Sequence, residues 1–307
     1  ICVDPLTQLD VDNDVSVSPR LHQLRCLRLG RPLWEAVTTS PVLAATGSTE
    51  VVSVVSEDRT LLAFSPCGRR VCPPLVLTAS PAVLTSHAWL TMAVTTTACV
   101  SVWDLKSGRV IVDNRSMAPI MHGGESLASG GCTLTPEGRP VVSLSNGRTY
   151  CYSSSMHCWT LVCDRFDLLP LGSDLRGCLA SQNALHCSGP LAALQTRAHR
   201  HRSCSLAQLE AQTAAAMALG SPREYRHWIT AYTRYLAQEG MESRLREVCT
   251  ELIGPIQPSA CSTWETHILG VSKRDLLRDL LPLIGSNLRL QRLFMEVQEQ
   301  MDTVHGK

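Results

Sequence analysis

Cys99-Val-Ser-Val-Trp-Asp-Leu-Lys-Ser-Gly-Arg-Val-Ile-Val112 is the stretch that decides the fold class. A β-prone run ends at Trp103-Asp104, a turn containing Gly108 follows, and a second β-prone run resumes at Val110. The same phrasing occurs on either side, in Thr60-Leu-Leu-Ala-Phe-Ser65 and in Arg148-Thr-Tyr-Cys-Tyr-Ser153. Each of the three follows an apolar run and precedes a turn and another strand. Their spacing, about 40 and then about 50 residues, is that of a propeller blade. Residues 41–165 carry no helical stripe, so the class of this half is antiparallel β.

The central phrase resembles a WD-repeat strand. In WD repeats the aromatic packs between blades and the Asp ends the third strand before a Gly-containing turn to the outer one. Three four-stranded blades are expected, at residues 41–77, 82–115 and 125–165. Three blades do not close a ring, because propellers typically have about four to eight. Residues 1–36 could add strands, since Val15 with Val17 and Leu24 with Cys26 alternate, and so could residues 184–194. Otherwise the open edges invite another subunit. Asp10-Val-Asp-Asn-Asp14 has the opening acids of a calcium loop, but Val15 stands where Gly is needed and Leu21 where Glu is needed, so calcium is rejected. His122-Gly-Gly124 has no Gly-x-Ser-x-Gly elbow to accompany it and reads as a turn.

Residues 166–202 are broken by Pro170 and Pro190 and end in Arg197-Ala-His-Arg-His-Arg202. They read as a loop-rich connector with a solvated basic tip. The period then changes to 3.6. Leu206, Leu209, Ala216 and Met217 mark a first helix, with Ser205 and Gln208 at capping-box spacing. Ser221-Pro-Arg-Glu224 starts the next, whose stripe is Tyr225, Trp228, Ile229, Tyr232, Tyr235 and Leu236. Leu245, Val248, Cys249 and Leu252 mark a third helix, ended by Gly254-Pro255. Ser272 and Asp275 open a fourth, in which Pro282 is expected to kink or break the helix. The last runs over residues 287–304. The overall reading is α+β: incomplete WD-propeller-like blades in residues 1–165, the connector at 166–202, and an α-helical subdomain at 203–307.

Composition narrows the function classes. The 307 residues are 44% hydrophobic with mean hydropathy +0.03 and a net charge of +1. Basic and acidic residues number 13 and 13 in residues 1–165, four and two in 166–202, and 11 and 12 in 203–307. That flat distribution lacks the basic excess of a phosphate-tracking nucleic-acid binder. No apolar run is long enough to span a membrane, so no membrane contact is expected. The chain starts Ile1-Cys2-Val3 without a leader and reads as a piece of a longer polypeptide. Its 14 cysteines include no Cys-x-x-Cys pair, and many sit among apolar neighbours. Reduced core thiols, no metal and no cofactor are expected. No nucleophile, base and orienter fall at usable spacing, so no enzyme is expected.

Glu224-Tyr-Arg-His-Trp228, Arg244-Leu-Arg-Glu247, Gly254-Pro255, Trp264-Glu265, Leu280-Leu-Pro-Leu-Ile-Gly285 and Asn287-Leu-Arg-Leu-Gln-Arg-Leu-Phe294 carry a family resemblance. With Cys67-Gly-Arg-Arg70, Ser101-Val-Trp-Asp104 and Cys187-Ser-Gly-Pro-Leu-Ala192, they resemble the C-terminal region of the HIRA (histone regulator A) family of histone chaperones. The likeness runs from about Trp34 onward. It implies a non-enzymatic nuclear scaffold for nucleosome assembly and transcription regulation, including repression. Such a scaffold deposits the replacement variant of histone three with histone four, independently of replication. It further implies self-association and docking of the calcineurin-binding subunit of the HIRA complex. Ubinuclein, the anti-silencing histone chaperone and histones would be held by parts of the full-length protein outside this chain. The residues themselves also point to an association module, with a homo-oligomer, set as a trimer, closing the open edges. The candidate interface residues are Trp103 and Asp104 on the middle blade, then Tyr225, Trp228 and Tyr232, whose stripe serves either as partner surface or as core. Direct histone or DNA binding through Arg197 to Arg202 is the alternative.

Overall fold

The computed structural model describes residues 2–4, 7–17, 20–169, 173, 198–255 and 264–305, which fall into two compact units, Ile1–Arg165 and Phe166–Lys307. The first unit contains four antiparallel four-stranded sheets, one more than the three expected blades. They are β1 (Cys2–Asp4), β2 (Thr7–Val17), β3 (Arg20–Arg28) and β4 (Arg31–Thr38); β5 (Val42–Gly47), β6 (Val52–Ser56), β7 (Thr60–Phe64) and β8 (Leu75–Val76); β9 (Pro81–His87), β10 (Leu90–Thr95), β11 (Cys99–Asp104) and β12 (Arg109–Ser116); and β13 (Leu127–Leu134), β14 (Pro140–Leu144), β15 (Arg148–Ser153) and β16 (Cys158–Asp164). Sequence neighbours pair throughout, so each sheet is a meander. The segment over residues 184–194, which could have added strands, lies outside the described residues.

Period-2 alternation sends side chains to both faces of the inner sheets, and three hydrophobic seams result. Leu9, Leu24, Cys26 and Trp34 meet Val52, Val54, Leu62 and Phe64 between the first and second sheets. Val51, Val55, Leu61 and Ala63 meet Ala93 and Leu105 between the second and third. Met92, Val100, Val102 and Val112 meet Cys132, Val142, Leu144 and Tyr152 between the third and fourth. Each full aliphatic side chain so buried contributes about 1.5–3 kcal/mol. Within the second seam the buried hydroxyls of Ser53 and Thr91 form a 2.9 Å bond, and nearer the surface Thr46 and Ser86 pair at 3.3 Å.

Trp34 closes the first seam. Its ring stacks on Phe64 at 5.3 Å, and its indole N–H donates to the Pro66 carbonyl at 3.1 Å. Gly68 lies directly over that ring with φ +82°, and a Cβ there would fall 2.6 Å from Trp34 Cγ. The Cys67-Gly68 turn is therefore fixed by the indole beneath it.

The second unit contains α1 (Ala198–Leu219), α2 (Pro222–Gln238), α3 (Glu242–Ile253), the hairpin β17 (His267–Ile268) and β18 (Val271–Ser272), α4 (Lys273–Gly285), a 3-10 turn (Leu288–Leu290) and α5 (Gln291–His305). Its core joins Leu209, Ile229, Leu236, Leu245, Leu252, Leu276, Leu280 and Leu293, all buried. Ser221 and Ser272 cap α2 and α4 by accepting the amide N–H groups of Glu224 and Asp275. The expected capping box at Ser205 and Gln208 does not form, because α1 begins at Ala198. Both side chains are buried on one helix face instead, since cap spacing is also one-turn spacing. Residues 198–202 of the basic tip accordingly belong to the first turns of α1 rather than to a loop, and Arg197 lies outside the described residues. Arg202 there pairs with Glu239 at 3.1 Å. Met217 is 41% exposed, one residue around the helix from the buried Ala216. Helix α4 runs through Pro282, whose missing N–H disturbs only a final turn ending at Gly285. The short hairpin has no counterpart in the sequence reading. Leu269 and Gly270 take φ +51° and +78°, a primed two-residue turn.

Family-marking residues lock the helices together. Gly254, at φ +70°, sits against the Trp264 ring so closely that a Cβ would fall 2.2 Å from it. Trp264 donates to the Glu251 carbonyl at 2.8 Å, with Lys273 and Arg274 over its face at 5.3 and 5.2 Å. Asn287 accepts the N–H of Arg289 and donates to the Ala237 carbonyl at 2.7 Å, joining the 3-10 turn to the end of α2.

Candidate interaction surface

The third strands of the last three sheets end in the same device. Phe64-Ser65, Trp103-Asp104 and Tyr152-Ser153 each set an aromatic before a polar residue that holds the following turn. Ser65 Oγ accepts the Arg69 N–H at 3.2 Å, and Ser153 Oγ accepts the Met156 N–H at 3.3 Å. Asp104 Oδ1 accepts the N–H groups of Lys106 and Ser107 at 3.0 and 3.3 Å, and Oδ2 accepts the Ser107 hydroxyl at 2.6 Å. The Ser107 hydroxyl, ahead of the two amides, holds the Asp104 carboxyl below its ordinary range. Gly108 completes the turn at φ +66°.

The three aromatics differ in burial. Phe64 and Tyr152 are 2% and 3% exposed, whereas Trp103 is only partly buried against the second seam. It pairs across the sheet with Thr91 on one side and with Val110 on the outer strand. Val110 is 55% exposed. Trp103, Asp104 and Val110 thus form an apolar spot with a fixed carboxylate at the rim of the third sheet.

The outward face of the first sheet is polar. Gln8 donates to Asp10 at 2.7 Å, Arg25 to Gln23 at 2.7 Å, and Gln23 to Glu35 at 2.9 Å, with Leu33 and Val37 exposed beside them. The acidic run that was tested as a calcium loop lies in β2. Its Asn13 side chain exchanges two hydrogen bonds with the Val42 backbone, at 3.1 and 3.2 Å.

In the helical unit Tyr225 and Tyr232 are core residues, 4% and 9% exposed. Burial pushes the Tyr225 hydroxyl up to about 12. The Tyr232 hydroxyl donates to Glu210 at 2.9 Å, and Arg244 pairs with the same carboxylate. Trp228 is partly buried, with its ring edge-on to His227 at 5.0 Å, so it is the member of the expected stripe that reaches the surface. Burial also raises the thiols of Cys132, Cys151 and Cys249 to about 11. Among the described residues no group of three metal-ligating side chains converges, and no helix is long and apolar enough to cross a membrane.

A family model described as Hira: TUP1-like enhancer of split matches residues 68–203 and 198–252. Protein HIRA of Xenopus laevis is 46% identical over 99% of this chain and 32% of its own length. Protein HIRA of Homo sapiens is 43% identical over 99% of this chain and 31% of its own length. The crystal structure of HIRA(644-1017) is 39% identical and superposes with a TM-score of 0.83, covering 99% of this chain and 96% of that one. The chain spans about a third of the length of the curated relatives it matches.

Proposed function

The chain belongs to the Hira family, and from that premise we propose that it is a self-associating docking module of a replication-independent histone chaperone complex. The observation that carries the reading is the count of seams. Among the described residues, four sheets stacked with three hydrophobic seams leave two outer sheet faces, where a closed propeller of four blades would have a fourth seam. Unpaired faces and edges favour a second chain.

The proposed contact is the rim of the third sheet. A half-buried Trp beside an exposed Val and a fixed carboxylate has the composition of an interface anchor. Trp103 would supply apolar area, Val110 would extend it, and Asp104 would accept a donor from the neighbouring copy. A contact between two different patches closes into a ring or polymerises, and three-fold closure is the assembly proposed. The calcineurin-binding subunit is the proposed partner of the assembled module, with nuclear deposition of replacement histone three and histone four as its setting. Its work in that setting is binding rather than catalysis.

Multi-angle light scattering at micromolar concentration tests this. The wild-type chain is expected to run as an oligomer, and a Trp103→Ala/Asp104→Ala variant as a monomer. Val110→Glu provides the control for folding, because an exposed residue can be changed without loss of core. It is expected to dissociate the oligomer with its melting curve preserved. A monomeric wild type, or an intact oligomer in both variants, overturns the proposal.

A further inference from the structure

One face of α2 carries three arginines for which the fold itself has little use. Arg223, Arg226, His227, Thr230 and Arg234 recur at three- and four-residue intervals and therefore share one side of the helix. Together with Ala231 they line a shallow concavity of about 330 Å³. The opposite stripe, Tyr225, Ile229, Tyr232 and Leu236, is buried, so the helix is anchored and its outer face is presented rigidly.

Local physics argues against placing cations there for stability. Arg223 and Arg226 sit at a spacing where like charges oppose a helix. Arg223 falls in the first turn, where the helix dipole disfavours positive charge. Arg226 has a counter-ion, Asp279 of α4 at 2.9 Å. Among the described residues Arg223 and Arg234 form no ion pair. Local rules are broken in folded proteins chiefly where a binding role requires it.

We infer that this stripe of α2 docks an acidic, carboxylate-rich segment of a partner protein. Arg223 to Arg234 spans about 16 Å of helix, close to the length of about five residues of extended chain. Guanidinium forks fit carboxylates in paired geometry. Histone tails, being basic, are repelled by the same face. Duplex DNA is disfavoured because Asp279 interrupts the stripe and the helical unit carries no net basic excess. The inference rests on neither the self-association nor the partner proposed above.

Fluorescence anisotropy with a labelled decaglutamate peptide, titrated with the full chain, is the direct test. Binding is expected to weaken as salt rises. The Arg223→Ala/Arg234→Ala variant is expected to lose about tenfold in affinity. Arg289→Ala/Arg292→Ala removes the same charge from exposed positions elsewhere and is expected to bind as wild type. Both variants change exposed side chains, and unchanged far-UV circular dichroism confirms their folding. The proposal is overturned by a full-strength Arg223/Arg234 variant, by an equal loss in the Arg289/Arg292 variant, or by duplex DNA of matched charge binding more tightly than the peptide.

Discussion

Replacing Gly68 by Ala isolates what holds the first two sheets together. The new Cβ meets Trp34 Cγ at 2.6 Å and Trp34 Cβ at 2.8 Å. The indole cannot retreat without breaking its stack on Phe64 and its bond to the Pro66 carbonyl. The φ of +82° adds the cost of an L residue in left-handed backbone, about 1 kcal/mol. Overpacking adds about 1–3 kcal/mol. Gly30→Ala is the matched control, with φ +76° and nothing within 4 Å of its Cβ. It should cost only the backbone part, about 1 kcal/mol. For a unit of this size 1 kcal/mol moves the melting temperature by about 2–4 °C. Near-ultraviolet circular dichroism melts should therefore show a drop of about 3 °C for Gly30→Ala and about 6–12 °C for Gly68→Ala. Equal drops would show that Trp34 yields, and the argument from its two anchors would fail.

Three further outcomes follow from single contacts. Asn287→Ala removes both the 3-10 cap and the bond to Ala237, and urea unfolding should register a loss of about 1–3 kcal/mol. Asn287→Asp keeps the cap but sets a carboxylate against a carbonyl and should do no better. Because the folded-state pKa of Asp104 is depressed, its contribution to the turn is complete above the unfolded value and fades as pH falls through the folded one. Wild type should therefore lose stability below about pH 4 relative to Asp104→Asn, whose amide oxygen still accepts the two N–H groups; parallel melts would refute this. In native protein at pH 8 a disulfide reagent should consume exposed Cys67, Cys158 and Cys163 before Cys132 and Cys249, which should react only after denaturation.

The last three sheets were legible in sequence because an aromatic and a turn-holding residue mark the end of each third strand. The first sheet lacks that mark. Its third strand ends Leu27-Arg28, and the alternation of Leu24 and Cys26 is extended by His22, a polar residue that is nevertheless 2% exposed. Its ring nitrogen Nδ1 accepts the Asp14 N–H at 3.0 Å, which lets a histidine occupy an apolar face. The start of α1 was hidden for a different reason, since a basic, His-rich run carries no helix signal of its own. Of the residues in the proposed contact, the sequence reading names Trp103 and Asp104 but not Val110, whose exposure depends on its place on an outer strand. The cationic stripe of α2 was overlooked because the aromatic stripe on the other side of the same helix was easier to read.

The Ser53–Thr91 bond contributes little strength, yet it bears on how such a chain arose and can be rearranged. Apolar faces alone let one sheet slide over another with little change in buried area. A slip of one residue along a strand, about 3.3 Å, would leave two hydroxyls enclosed without partners at about 1–3 kcal/mol each. The pair therefore acts as an alignment mark between otherwise interchangeable modules. Sheets duplicated or swapped within the chain would have to carry the matching half of that mark to stack in register.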